Sequence, residues 1–290
     1  MKQFFTYALT LLLAFVLAAP AADAQQFTKR KQYNSVGVTL TAMNYFGDIT
    51  PKPSIPSLRF GATRPNIGVT ITHRFTPIIS ARAGLSYGRI TGSDEKAADP
   101  NDADGKFRYN RNMNFRNDLA ELSVVGIVDL IPNRNTYIKR PDLVPYVFAG
   151  VAGYAGNPKG EDASGNYVAL QPLKTEGVDY NKAGIAIPFG LGARYKLNKS
   201  FDLGFEIGFR KTFNDYLDDV STKYVDISQL TSSAAQYFGG GITKSRSGDF
   251  ISFDKPGSQR GKSNEDDWYV QAGFTLNYIL APRVKSPKFR

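Results

Sequence analysis

With one histidine, no cysteine and two acidic clusters, this 290-residue chain has a narrow range of possible chemistry. His73 is the only imidazole, so a histidine-activated hydroxyl nucleophile would have to be built on it. Without cysteine there is no thiolate nucleophile, thiolate metal site, disulfide or lipid-bearing cysteine. The stretch Asp99-Pro-Asn-Asp-Ala-Asp-Gly105 superficially resembles a calcium loop, but alanine or proline falls on a ligand position in either register. Arg111 stands where one register needs glutamate. This stretch and the cluster Asp215, Asp218 and Asp219 read as solvated surface. There is no phosphate-binding glycine loop and no base-stacking platform, which leaves out nucleic acid as a partner. No catalytic residue, metal or cofactor is expected, and the chain reads as a non-enzyme.

The remaining charged groups with chemical potential are Arg82, Glu121, Arg194, Asp202, Glu206 and Arg210. They fall on the rear faces of segments whose other face is apolar at every second residue. Ala183–Lys211 shows this most plainly. Ile185, Ile187, Phe189, Leu191, Ala193, Tyr195 and Leu197 alternate with small or charged residues. After the turn Asn198-Lys199, the residues Phe201, Leu203, Phe205, Ile207 and Phe209 alternate with Asp202, Gly204, Glu206, Gly208 and Arg210. Period two on both arms of a tight polar turn is a β-hairpin.

Similar segments recur along the chain, at about 35–46, 66–75, 79–88, 115–130, 144–154 and 268–280. Val125 and Ile127 blur the alternation of the fourth, and the fifth is apolar on both faces. With the hairpin these make eight strands, joined by connections that alternate between long and short or medium. The fold class expected is all-β, an eight-stranded antiparallel transmembrane β-barrel with long extracellular loops. A soluble lipocalin-type barrel explains the alternation equally well, but less well the glycine-rich rear faces and the alternating loop lengths. Phe46, Phe75, Tyr87, Tyr146, Tyr154, Tyr195, Phe201, Trp268 and Tyr278, near strand ends, are candidates for interfacial girdles.

Lys2, the apolar run Phe4–Ala18 and Ala22-Asp23-Ala24 form a secretory signal pattern over residues 1–24. The barrel domain then covers 25–290, with the last strand ending near 280 and a basic tail over 281–290. The expected location is the outer membrane, with both termini in the periplasm. On this topology the net charge of +10 is mostly a property of one side. The periplasmic segments carry Lys29, Arg30, Lys31, Arg134, Lys139, Arg140, Lys199, Arg283, Lys285, Lys288 and Arg290 against Asp142. Such a rim suits an acidic periplasmic partner or anionic inner-leaflet headgroups equally well. The lumenal charges read as ion pairs filling a barrel too narrow for a diffusion pore. His73 falls three residues before the turn at Thr76 and by parity faces lipid, which argues against a lipid-modifying enzyme.

Five segments in order carry a resemblance. They are Tyr87-Gly-Arg-Ile-Thr-Gly-Ser-Asp94, Asn114-Phe-Arg-Asn-Asp-Leu-Ala-Glu-Leu-Ser123, Pro145-Tyr-Val-Phe-Ala-Gly150, Ile187-Pro-Phe-Gly-Leu-Gly192 and Gly208-Phe-Arg-Lys-Thr-Phe-Asn-Asp-Tyr-Leu-Asp-Asp-Val-Ser221. Together they resemble the outer-membrane barrel family of Bacteroidetes that includes the PorG component of the type IX secretion system. The resemblance implies a non-enzymatic barrel, set in outer-membrane lipids, whose periplasmic side meets secretion-ring proteins, a lipoprotein and its partner subunit. The alternative function is a surface-binding or adhesin-like barrel acting through the long loop 212–266.

Overall fold

In a computed structural model, the structure describes residues 27, 31–50, 60–99, 101, 103–240 and 255–282. The expected leader (1–24) and the end of the basic tail lie outside the described residues.

Eight long strands close into one barrel. They are β1 (Asn34–Phe46), β2 (Arg64–Arg74), β3 (Ile79–Ser93), β4 (Asn114–Asp129), β5 (Leu143–Ala155), β8 (Ala183–Lys196), β9 (Phe201–Thr212) and β10 (Trp268–Leu280). Each pairs antiparallel with its neighbour, and the β1–β10 ladder closes the wall. Following paired residues from Asn34 through His73, Ala81, Gly126, Ala149, Phe189, Phe209 and Val270 returns to β1 at Asn44, ten residues further along. That stagger goes with the strand tilt of ~35–45° that closure requires.

Period two decides which side each residue faces. Leu40, Ile67, Leu122, Val151, Ile185 and Leu191 point outward and are each more than half exposed. An apolar band of this kind around a closed wall is kept from water only by lipid, so the barrel spans a membrane with its strands. No helix among the described residues is long and apolar enough to cross. Val125 and Ile127 do not break the alternation. They face inward and pack with Tyr146 and Phe148 as an apolar patch within the lumen.

The girdle expectation needs correcting in part. Phe75, Tyr87, Tyr195 and Tyr278 are exposed on the outer wall. Tyr146 and Tyr154 are buried because their parity turns them into the lumen, and Phe46 is buried on β1 opposite Trp268.

The short-turn end carries the links 75–78, 130–142 and 197–200. The opposite end carries the long ones, which are not plain loops. β3 continues to Ser93 and is followed by α1 (Asp94–Ala97) and α2 (Ala103–Arg111). The segment after β5 forms a small hairpin of β6 (Pro158–Glu161) and β7 (Tyr167–Ala169), which adds to the upper edge of β4. The last long connection includes α3 (Ser233–Gly240).

Candidate functional site: a filled lumen between a cationic rim and a packed cap

The lumenal charges form a ladder. Nearest the short turns, Arg140 and Asp202 pair at 2.7 Å. Asp129 then takes Arg74 at 2.8 Å and Arg194 at 2.7 Å. Arg82 grips Glu206 with both guanidinium nitrogens, and the Tyr146 hydroxyl donates to the same carboxylate at 2.5 Å. Higher still, Glu121 accepts from Tyr269 at 2.7 Å, with Arg210 3.5 Å away. All six lumenal residues expected from the sequence therefore sit in ion pairs, four of them with one another, Arg82 with Glu206 and Arg210 with Glu121, while Arg194 and Asp202 take Asp129 and Arg140. Asp129, Arg74 and Arg140 complete the set. Buried charges persist when each is paired and hydrogen-bonded. Small cavities remain among them, one of about 20 Å³ beside Arg74, Arg82 and Arg194 and one of about 10 Å³ beside Arg140 and Asp202.

Among the described residues, the rim differs from expectation at Arg140. This side chain is buried rather than displayed. Its guanidinium also donates to the carbonyl oxygens of Tyr137, Asn198, Lys199 and Phe201, so it clamps the 130–142 link onto the β8–β9 turn. Sequence parity says nothing about a residue outside a strand, so the sequence groups Arg140 with its solvated neighbours. Arg134, Lys139 and Lys199 are exposed at this end and Lys31 is half-buried. Lys29, Arg30, Arg283, Lys285, Lys288 and Arg290 lie outside the described residues. His73 faces outward, 2.6 Å from Asn34 Oδ1 and packed edge-on against Phe75. Among the described residues no cluster of histidine or acidic side chains is arranged to hold a metal.

At the long-loop end, polar residues that read as solvated are packed into a cap. Arg260 is buried, 2.7 Å from Glu176 and 3.5 Å from Asp219. Asp219 has φ of 69° and accepts from Thr175 and Tyr180, each at 2.6 Å. Burial works to raise Glu176, but the Arg260 guanidinium together with hydrogen bonds from Thr222 and the Ser221 amide holds the carboxyl below its usual value. Arg111 closes on Asp94 at 2.7 Å and donates to the Arg260 carbonyl oxygen, tying α2 to the same assembly. Asp218, read as surface, is buried as well. Tyr45 at the top of β1 lies 2.7 Å from Asp218 Oδ2 and 2.6 Å from Asp267 Oδ1. One hydroxyl has one proton to donate, so it bonds both carboxyls only if one of them is protonated and donates back. Burial, with Asp48 nearby, pushes Asp218 up, and burial with Asp218 nearby does the same for Asp267. Burial also raises Asp48 to about 6 and Asp215 to about 9.

The family defined as a domain of unknown function (DUF6089) matches residues 12–243. No curated protein matches the chain. Among solved structures, the attachment invasion locus protein Ail of Yersinia pestis is 7% identical with a TM-score of 0.40, covering 86% of this chain and 99% of that one. Neisserial surface protein A is 9% identical with a TM-score of 0.38, covering 84% and 96%. E. coli outer membrane protein W is 12% identical with a TM-score of 0.35, covering 87% and 100%. At these scores the likeness adds nothing to what the strand pairing establishes.

Proposed function

Taking as premise that the chain belongs to the DUF6089 family, we propose that it is a non-enzymatic outer-membrane barrel that docks a periplasmic partner as a structural component of a protein secretion machine of type IX kind. The observation that carries this reading is the filled lumen. Five ion-paired arginines and their carboxylates crowd the lumen, so the work of the barrel falls to its two end surfaces. At the short-turn end Arg134, Lys139 and Lys199 are displayed beside the Arg140 clamp, which ties the 130–142 link to the β8–β9 turn. A pre-ordered cationic surface loses little entropy when it meets an acidic partner. The five segments that resemble the PorG-containing family supply the choice of partner, a secretion ring of a lipoprotein and its companion subunit. In this reading residues 1–24 are the export signal and both termini lie in the periplasm.

The test is co-purification from mild detergent with identification of the bound envelope proteins. Charge reversal at Arg134, Lys139 and Lys199, and separately at Lys285, Lys288 and Arg290, should lower recovery of a periplasmic partner. Unchanged recovery in both sets would remove the rim from the mechanism. The packed cap favours a second reading, a surface-binding barrel that works through its long-loop end. Replacing the cap connection 213–267 with a short turn should then abolish surface binding while leaving secretion intact.

A further inference from the structure

The outer wall carries a trough of about 580 Å³ on the lipid side of β1–β3, reaching β4, β9 and β10 at its edges. Its sides are apolar, with Val36, Val38, Val69, Ile71 and Leu85 flanking the small Ala83. Its floor is the backbone at Gly37, Thr70 and Gly84, whose Cβ directions face the lumen. These three share one register row with Asn277 and Ser123. No large side chain therefore props this part of the wall from within. The packing behind it is tight, since a Cβ on Gly37 would stand 2.5 Å from Asn277 Oδ1 and 2.7 Å from Thr70 Oγ1. Only small side chains stand behind the trough, whereas Tyr146, Phe148 and Arg82 fill the lumen elsewhere.

Two residues closer to the short turns, the outward positions next in line are Asn34 on β1 and His73 on β2, directly paired across the ladder. They interrupt an otherwise apolar face. His73 Nδ1 lies 2.6 Å from Asn34 Oδ1, an oxygen that only accepts, so Nδ1 carries the proton in that bond. In the neutral ring Nε2 then offers a lone pair to a donor, and the Asn34 amide offers its N–H groups to an acceptor.

We propose that this trough and the His73–Asn34 pair form a specific binding site for one phospholipid of the leaflet that meets the short-turn end, with phosphatidylethanolamine as the preferred class. An acyl chain lies over Ala83 between Val36, Val69 and Ile71. The phosphate accepts from the Asn34 amide, and the ammonium group donates to His73 Nε2. The argument for a lipid rather than a protein is the pairing of an apolar channel with a donor and an acceptor at its interfacial end, which matches an amphiphile with a zwitterionic head. The site is independent of any docking at the rim.

The test uses the full chain in vesicles containing phosphatidylethanolamine with a photoreactive group in its acyl chain. Labelling should concentrate on the peptides around Val36, Ile71 and Ala83, relative to the wall around Val151 and Leu191. Ala83→Phe fills the trough from the lipid side without touching the lumen and should bring its labelling down to that of the opposite wall. His73→Ala should lower it by about tenfold, the size of one lost hydrogen bond to a charged group, and phosphatidylglycerol should label less than phosphatidylethanolamine. Both variants are to be compared at equal barrel content by circular dichroism. Uniform labelling around the barrel, or labelling unchanged by Ala83→Phe, overturns the site. So does a trough that is labelled no more than the opposite wall.

Discussion

Arg140 Nη2 and Nε stand 2.7 and 2.9 Å from the same oxygen, Oδ1 of Asp202, at the floor of the barrel. Both side chains are nearly excluded from solvent. Removing one partner of such a pair leaves a buried charge without compensation, which costs about 3–5 kcal/mol. Arg140→Ala should therefore lower the urea midpoint of the barrel refolded in vesicles by that scale. Arg140→Lys should rescue little, because one ammonium cannot reproduce a planar fork that reaches Asp202 and four carbonyl oxygens. A wild-type midpoint for Arg140→Ala would show that the clamp does not hold the floor.

The ladder above that clamp predicts electrical silence. The lumenal cavities of about 20 and 10 Å³ each have room for about one water, well short of a continuous file. Wild-type protein in planar bilayers should show no steady ionic conductance. Replacing Arg82 and Glu206 together by alanine removes the pair that fills the middle of the lumen and should produce small, brief openings. Steady wild-type currents would contradict a filled barrel.

The barrel could be read from the chain because period two is a local property, and a closed wall with lipid outside enforces it at nearly every strand position. Where the alternation is blurred, the cause lies on the inside. Val125, Ile127, Tyr146 and Phe148 pack against one another, so β4 and β5 carry apolar residues on both faces and lose the contrast that marks orientation. The cap was hidden for a related reason. Arg260, Glu176, Asp218 and Asp219 have the composition of a solvated loop, and only their mutual satisfaction, invisible to composition, makes them buried. Six of the lumenal ion-pair residues were legible because strand parity put them inside. Arg140, on a link without periodicity, was not.

The cap should loosen as pH rises. Burial lifts Asp215 from its ordinary 3.8 to about 9, and Asp48 to about 6. A carboxyl whose folded pKa is raised holds its proton more tightly when folded. Its contribution is thus fully present below about pH 4 and is lost as pH climbs through the folded value. The groups in and facing this cluster are Asp48, Glu176, Asp215, Asp218, Asp266, Asp267 and Tyr45, with Arg111 and Lys262 as the nearby cations. Amide exchange in residues 213–223 should accelerate between pH 5 and pH 9 beyond the intrinsic base-catalysed rise, while the barrel strands stay protected. Asp215→Asn should flatten the upper part of that response. A cap equally protected at both pH values, after correction for intrinsic rates, would rule out the protonated cluster.

Gly47 tests the same junction sterically. A Cβ at this position would lie 1.9 Å from the Tyr45 hydroxyl oxygen and 2.0 Å from Asp267 Oδ1. Gly47→Ala must push Tyr45 and Asp267 apart, an overpacking cost of about 1–3 kcal/mol. The amide of Leu217, which donates to Asp267 Oδ2 at 2.8 Å, should lose exchange protection in this variant. Full protection there would mean that the Tyr45–Asp267 contact is not what seats the cap.

Trp268, the only tryptophan, makes the depth of the membrane band measurable. It opens β10 at the long-loop end, with Lys211 Nζ 5.6 Å from its ring and Phe189 set edge-on at 6.1 Å. Tyr278, exposed near the other end of the same strand, is ten residues away. Ten residues span about 33 Å of strand, and a tilt of about 40° shortens this to about 25 Å, the height of the apolar band of an outer-membrane barrel. The pair Trp268 and Lys211 should therefore lie at one headgroup boundary, with the ring in the interface and the ammonium reaching towards phosphate. Tryptophan emission should shift to the blue when the barrel folds into vesicles. Lipids brominated near the headgroup should quench it more than lipids brominated near the chain ends. Stronger quenching from the chain ends would put Trp268 at the bilayer centre and displace the band by about half its height.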